Sequence, residues 1–195
     1  PIIVHTRSAE DETLKILKKI INERDFKILI HCFTGSRNFA FKLLDLGAYP
    51  GSWSQVASKI ITSGKILSID IKNMSPIKNV NFYKSDIFEK TTKNKIRDFF
   101  NGKLEVIISD MAADTTGNKS LDSIRTNQLC LEILLLSPKV LVSNGVFVSK
   151  VFMGDDFEEI KKLAKTLFKD VKFFKPASSR NESKETYIHC KILKT

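Results

Sequence analysis

The chain reads as an α/β protein with a doubly wound, mostly parallel sheet, and three observations lead there. Apolar strands alternate with helical patterns from residue 43 to the end, as strand–helix–strand crossovers require. A turn with a glycine at each end, Gly47-Ala48-Tyr49-Pro50-Gly51, joins the strand Leu43–Leu46 to a helical pattern at Gln55, Val56, Ala57, Ile60 and Ile61. About twenty-five residues after Asp45, the strand Ile66-Leu67-Ser68-Ile69-Asp70 ends in a carboxylate. Nucleoside-binding βαβ units hold ribose hydroxyls with an acid at about that distance.

In chain order, Pro1–Val4 is a short apolar strand. Apolar residues at Leu14, Leu17, Ile20 and Ile21 predict a helix over Ser8–Asn22 capped by Ser8, Lys27–His31 is a second strand, and Ser36–Leu44 begins a second helix. At the turn, Gly47 and Gly51 let the backbone approach a ligand where a Cβ would intrude. Ser52 is the expected cap of a helix over 52–62, whose first N–H groups face polar ligand atoms. Strands follow at 65–70 and Val80–Lys84, the latter reaching Ser85-Asp86; Lys90–Phe100 is a basic helix. Glu105–Ser109 is a strand ending at Asp110, a polar loop (Ala112–Lys119) leads into a helix over 121–136, and Gly145–Phe152 is the next strand. A helix over 155–168 carries Phe157, Ile160, Leu163, Ala164 and Leu167 on one face, and Val171–Phe174 and Thr186–Leu193 are paired final strands. There are no internal repeats or low-complexity tracts.

Composition narrows the partners. The 195 residues, 42% hydrophobic, suffice to bury a core, and no apolar run reaches membrane-spanning length, so no membrane partner is expected. No signal peptide is visible, and a start at Pro1 leaves sequence upstream open. The formal charge of +10 favours polyanions, with RNA, DNA and an anionic membrane surface weighed against a merely lysine-rich solvated face. Cys32, Cys130 and Cys190 are odd in number and lack metal-ligand spacing, which suits a reducing cytoplasm and small buried roles.

Four polar residues interrupt or close strands that otherwise read apolar: Asp70, Asp86, Asp110 and Lys150. A carboxylate ending a buried strand is costly unless it is paired or bound to ligand. Three at successive strand ends therefore read as a site. Lys150, inside Val146-Phe147-Val148-Ser149-Lys150-Val151-Phe152, is either a reactive group or an edge lysine that discourages aggregation. Glu185 opens the last strand, where an exposed Glu is also ordinary.

Residues 1–44 resemble the TatD family of metal-dependent nucleases, through Pro1-Ile2-Ile3-Val4-His5-Thr6-Arg7, Ile30-His31-Cys32-Phe33-Thr34-Gly35 and Lys42-Leu43-Leu44-Asp45-Leu46-Gly47. In that family both histidines, here His5 and His31, help ligate metal. Its His-x-His, bridging Glu and later Asp ligand have no counterparts here, so the segment reads as a β-α-β-α fragment of a broken site and no metal is expected.

From Asp45 onward the chain is similar to the FtsJ/RrmJ ribosomal RNA 2′-O-methyltransferases. The matching words are Asp45-Leu46-Gly47-Ala48-Tyr49-Pro50-Gly51-Ser52-Trp53-Ser54-Gln55, Ser109-Asp110-Met111-Ala112, Lys150-Val151-Phe152, Lys175-Pro176-Ala177-Ser178-Ser179-Arg180 and Ser183-Lys184-Glu185-Thr186-Tyr187. The resemblance implies a Rossmann-like, class I methyltransferase fold with a seven-stranded sheet over residues 45–195. It implies S-adenosylmethionine held by Gly51, Trp53, Asp70, Asp86 and Asp110, with Asp70 on the ribose and Asp86 on the adenine amino group. It also implies methylation, in the cytoplasm, of a uridine 2′-OH of 23S ribosomal RNA within the large subunit. Of the family's catalytic Lys-Asp-Lys-Glu set, the last three fall on Asp110, Lys150 and Glu185. The first lysine has no equivalent, since Lys42 lies too close to the turn, and the proline after Met-Ala is replaced in Ala112-Ala113-Asp114.

Lys150 is thus either a general base, which requires the neutral amine, or a cation that orients the hydroxyl. Ser178–Arg180 and the Lys90–Lys95 helix are either phosphate contacts or solvated faces. Three functions remain in view: the methyltransferase, a chimera that binds cofactor or RNA without turnover, and a metal-dependent deoxyribonuclease.

Overall fold

A computed structural model describes residues 2–3, 28–29, 41–61, 63–154, 156–176, 179 and 183–194. The expected helix over Ser8–Asn22, His5, His31, Cys32 and Arg180 lie outside the described residues. Two short strands, β1 (Ile2–Ile3) and β2 (Ile28–Leu29), pair in parallel as their own two-stranded sheet.

The main sheet grows around β3 (Phe41–Leu46), whose last four residues are buried. The expectation of a helix over Ser36–Leu44 is corrected here: residues 41–44 are strand. The run is apolar enough to be covered on both faces, as a central parallel strand demands. Leu44 and Leu46 face one core while Leu43 faces the other, the two-residue alternation of a strand.

Around β3 stand β4 (Gly64–Asp70), β5 (Val80–Lys84), β6 (Leu104–Ser109), β7 (Leu141–Phe152), β8 (Phe168–Phe174) and β9 (Glu185–Leu193). The order across the sheet is β5-β4-β3-β6-β7-β9-β8, with β9 antiparallel to both its neighbours and the other pairings parallel. The chain therefore leaves β3 toward β4 on one side and returns to β6 on the other. That reversal opens a crevice beyond the carboxyl ends of β3, β4 and β6, where ligands of such sheets bind. The doubly wound seven-stranded sheet expected from sequence is what forms.

Helices α1 (Ser52–Ile60), α2 (Lys90–Phe100), α3 (Lys119–Val140) and α4 (Phe157–Leu167) cover the sheet. The larger core joins Ile96 and Phe100 of α2, Cys130, Ile133 and Leu134 of α3, and Ile160 and Ala164 of α4. The other face packs Ala57 of α1 and the following Ile61 against Leu43, Ile66 and Val106.

Helices α1 and α3 depart from expectation at their ends. Ser52 is not the cap of α1: Gly51 holds that position at φ +117°, without a side-chain cap, and Ser52 is the first helical residue. Helix α3 starts earlier, where the Asn118 side chain accepts from the N–H groups of Ser120 and Leu121, and runs on through Pro138. Proline cannot donate to the carbonyl four residues back. Here the Ser137 hydroxyl donates to the Leu134 carbonyl instead, at 2.7 Å, so the last turn persists.

Candidate active site

Gly47, Asp70, Asp86 and Asp110 share one cleft of about 420 Å³ at the carboxyl ends of the strands. Its apolar lining includes Ile71 and Phe88, both exposed.

The turn after β3 is shaped by close approach. Gly47 sits at φ +72°, and a Cβ there would stand 2.8 Å from backbone atoms of Met111. Gly47→Ala is therefore expected to cost about 2–3 kcal/mol of stability, combining a left-handed backbone penalty with a clash against backbone. Denaturant melts would check this beside Gly117→Ala, where φ is +88° and no atom lies within 4 Å of the added carbon. A loss no greater than the control's would remove the steric part of the argument.

Asp70 ties the turn to β4. One carboxylate oxygen accepts the Tyr49 N–H at 2.9 Å and the other the Lys72 N–H at 2.7 Å. Asp86 accepts the N–H of Phe88 at 2.9 Å. Gly51 and Trp53 are not among the residues lining the cleft. Gly51 lies against Ile77 and Met74, and the Trp53 ring tilts over Tyr187 at 5.9 Å.

Beyond Asp110 the site changes character. Lys150 Nζ lies 3.0 Å from Asp110 Oδ1 and 3.4 Å from Glu185 Oε2, with only 12% of the lysine side chain exposed. Register explains the convergence: Ser149 of β7 stands beside Ser109 of β6, Lys150 opposite Tyr187 of β9, and Phe152 opposite Glu185. The sheet thus unites Asp110, Lys150 and Glu185 from three neighbouring strands. Burial alone pushes the Lys150 ammonium toward the neutral form, but the carboxylates of Asp110 and Glu185 outweigh it and hold its pKa above the usual lysine value. The amine is a cation at neutral pH.

Of three residues that the sequence reading did not single out, two support this cluster and one lies buried in β3. Tyr187 is fully buried, its hydroxyl donates to Asp110 Oδ1 at 2.6 Å, and its ring stacks on Phe174 at 5.8 Å. Burial and the Asp110 charge push the Tyr187 phenol pKa upward, so it remains a donor. Asn127 of α3, also buried, receives the Phe152 N–H at 2.8 Å and donates to the Phe152 carbonyl at 3.0 Å, pinning the end of β7. Asp45 lies fully buried within β3, where the Ser54 hydroxyl donates to its Oδ2 at 2.5 Å and Ser54 and Ser68 share a hydrogen bond of 2.6 Å. An Asp inside an apolar strand is a sequence signal for such a residue; nothing in sequence marks Asn127.

Lys42, at the start of β3, is at the far end of the strand from this site, and its backbone N–H donates to Glu105 at 2.7 Å. The family's first lysine therefore has no substitute in Lys42.

Comparison with known proteins agrees with this architecture. The FtsJ-like methyltransferase family matches residues 17–193, reaching back into the segment that resembles the TatD nucleases; it lends that resemblance no support. A ribosomal RNA large subunit methyltransferase E of Pelagibacter ubique is 49% identical over 152 residues, spanning 78% of this chain and 75% of that protein. The protein of the same name from Rickettsia akari is 45% identical over 153 residues, 75% of this chain and 67% of that one. Among solved structures, a Plasmodium falciparum protein described as a ribosomal RNA methyltransferase superposes with a TM-score of 0.73 at 26% identity, covering 97% of this chain and 98% of its own. Human methyltransferase-like protein 13 shares the fold at a TM-score of 0.59 and 15% identity, over 79% of this chain and 72% of its own. With a family match across most of its length and relatives at nearly half identity, this chain belongs to the FtsJ-like methyltransferases.

Proposed function

We propose that the chain transfers a methyl group from S-adenosylmethionine to the ribose 2′-OH of a uridine in large-subunit (23S) ribosomal RNA, in the cytoplasm, using residues 45–195 as the methyltransferase domain. The observation that carries this is the Lys150 ammonium set between Asp110 and Glu185 next to the cleft. The names of the relatives supply the RNA class, and the chain's +10 charge suits a polyanionic substrate.

The cleft fits the cofactor. Three carboxylates, Asp70, Asp86 and Asp110, line it where hydroxyl, amino and sulfonium groups need acceptors, and the glycine turn after β3 borders it through Gly47 and Tyr49. Asp70 is assigned the ribose hydroxyls and Asp86 the adenine amino group. Gly51 and Trp53 are assigned the support of the turn. When bound, the cofactor supplies a methyl group made electrophilic by its sulfonium.

The protein's own part is positioning and charge. Lys150, a cation in the resting site, donates to the 2′-oxygen and aims a lone pair along the line of attack, which is where much of the acceleration of a displacement arises. It also offsets negative charge that grows on that oxygen as its proton leaves. Asp110 and Glu185 keep the ammonium charged and are the acceptors near enough to receive the proton, and Tyr187 fixes the orientation of Asp110.

The test is incubation of the protein with labelled S-adenosylmethionine and large subunits lacking the modification, with the 2′-O-methylated nucleotide mapped afterwards. Label at a base atom, or in the small subunit only, would refute the assignment. Asp70→Ala should weaken cofactor binding at least about tenfold, since a carboxylate paired with two hydroxyls contributes more than one neutral hydrogen bond. Unchanged affinity by calorimetry would remove Asp70 from the cofactor site.

One observation favours a second reading. Because Lys42 sits away from the site, a chain that binds the cofactor without turning over is consistent with the first lysine's absence. Saturable binding with no methylated product would establish that reading.

A further inference from the structure

Asp45 is the one charged residue type among the described residues that is wholly buried without a cationic partner. Its Oδ2 receives a single hydroxyl, from Ser54, and its Oδ1 has no hydrogen-bond partner at all. Helix α1 contributes Ser54; β4 contributes Ser68, which hydrogen-bonds Ser54, and Asp70; β6 leads to Asp110, already held by Lys150 and Tyr187. A carboxylate in that setting is costly to ionise, because one hydroxyl does not replace its hydration and both charged neighbours that act on it are anions. Asp70 and Asp110 line the cleft, so the same field that reaches Asp45 from them is altered by whatever binds there.

We propose that Asp45 is a charge-sensing positioning residue: it keeps its proton while the cleft is empty or holds a neutral ligand, and releases it to solvent when a sulfonium cation enters. The inference rests on the reading of the cleft as an S-adenosylmethionine site. It gives the protein a means of telling the charged methyl donor from the neutral thioether that remains after transfer. With the donor bound, the cation stabilises an anionic Asp45. Once the methyl has gone the cation is lost, Asp45 takes up a proton again, and the product is held less tightly. Its carboxyl pKa, which burial pushes up to about 7 despite the Ser54 hydrogen bond, puts the exchange within the working range.

The experiment is calorimetric binding of S-adenosylmethionine and of S-adenosylhomocysteine to the full chain, in pairs of buffers with different ionisation enthalpies, from pH 5.5 to 8.5. Both ligands carry the same amino acid and nucleoside groups, so the difference between them isolates the sulfonium. Below pH 7 the donor should release up to one proton more than the product. Its affinity relative to the product should rise with pH, by at most about tenfold per unit, and level off above 7. Asp45→Asn, which cannot ionise, should abolish the difference while still binding both ligands. Ser54→Ala, which removes the one donor to the carboxylate, should move the step to higher pH. Equal proton release for the two ligands, or a difference that survives in Asp45→Asn, overturns the proposal while leaving the cofactor assignment intact. Failure of the wild-type chain to bind either ligand overturns both.

Discussion

Lys150→Ala is expected to lower methyl transfer by about 10²–10⁴-fold while changing cofactor affinity less than about threefold. The range is what removal of one positioned proton donor or charge-stabilising group costs in comparable sites. Cofactor binding should survive because Lys150 does not line the cleft that Gly47, Asp70 and Asp86 share. The fold should survive because the side chain ends at a partly open site, and a shorter one leaves Asp110 and Glu185 accessible to water. The same geometry separates the two roles that sequence leaves open for this lysine. With its pKa held above the usual 10.5, fewer than about one site in a thousand carries the neutral amine at pH 7. A general base so rarely available would give a rate that climbs about tenfold per pH unit through the neutral range. A cationic Lys150 predicts a rate that is flat there on its account, with any acid limb set by the carboxylates. A pH–rate profile on saturated enzyme decides between them. A steep rise continuing to pH 9 would favour the base. Lys150→Arg is not a neutral replacement: a longer, planar guanidinium takes the place of the compact ammonium that meets oxygens at 3.0 and 3.4 Å, so its donors point elsewhere.

What the sequence made legible follows from which residues carry local signals. The strand Val80–Lys84 and the helix Lys90–Phe100 form with the bounds their patterns predict, because turn chemistry flanks each of them. Asp110 and Lys150 stand out as polar residues closing or interrupting apolar strands, Glu185 is singled out by the family resemblance alone, and the sheet order brings the three together. What it hid was tertiary. A helix is expected to begin within Ser36–Leu44, yet Phe41–Leu44 is claimed by the central strand through pairing with β4, a long-range contact that no local window contains. The extension of α3 through Pro138 depends on a hydroxyl that rescues one carbonyl. Tyr187 carries no local signal beyond its place in a motif, and its bond to Asp110, 77 residues away, comes from strand β9 lying beside β7. Asp45 is likewise a carboxylate in an apolar strand, but the glycine turn that directly follows it masks that signal.

Asp45 also carries the largest expected effect on stability. In the unfolded chain its carboxyl ionises near 3.8, and in the folded protein burial pushes that value up to about 7. Between those values the unfolded state has lost the proton while the folded state keeps it. The stability linked to Asp45 is therefore full below about pH 3.8, falls as pH rises, and is gone above about 7, where folding must bury the charge. Integrated over that interval the loss is roughly 4 kcal/mol. Asp45→Asn removes the titration and keeps the shape: its amide N–H can donate to Ser54, whose hydroxyl then turns to Ser68. The variant should accordingly gain on the wild type as pH rises, by a few kcal/mol between pH 4 and 7, and run parallel to it beyond. Urea melts of the two proteins at pH 4.5, 6 and 7.5 measure that difference directly, and every other titrating group cancels between them. A gap that stays constant across the three would mean that the folded protein already carries Asp45 as an anion. The orphaned Oδ1 would then require a partner for that charge, and Ser54→Ala, which takes away the hydroxyl bonded to Oδ2, would be the next variant to melt.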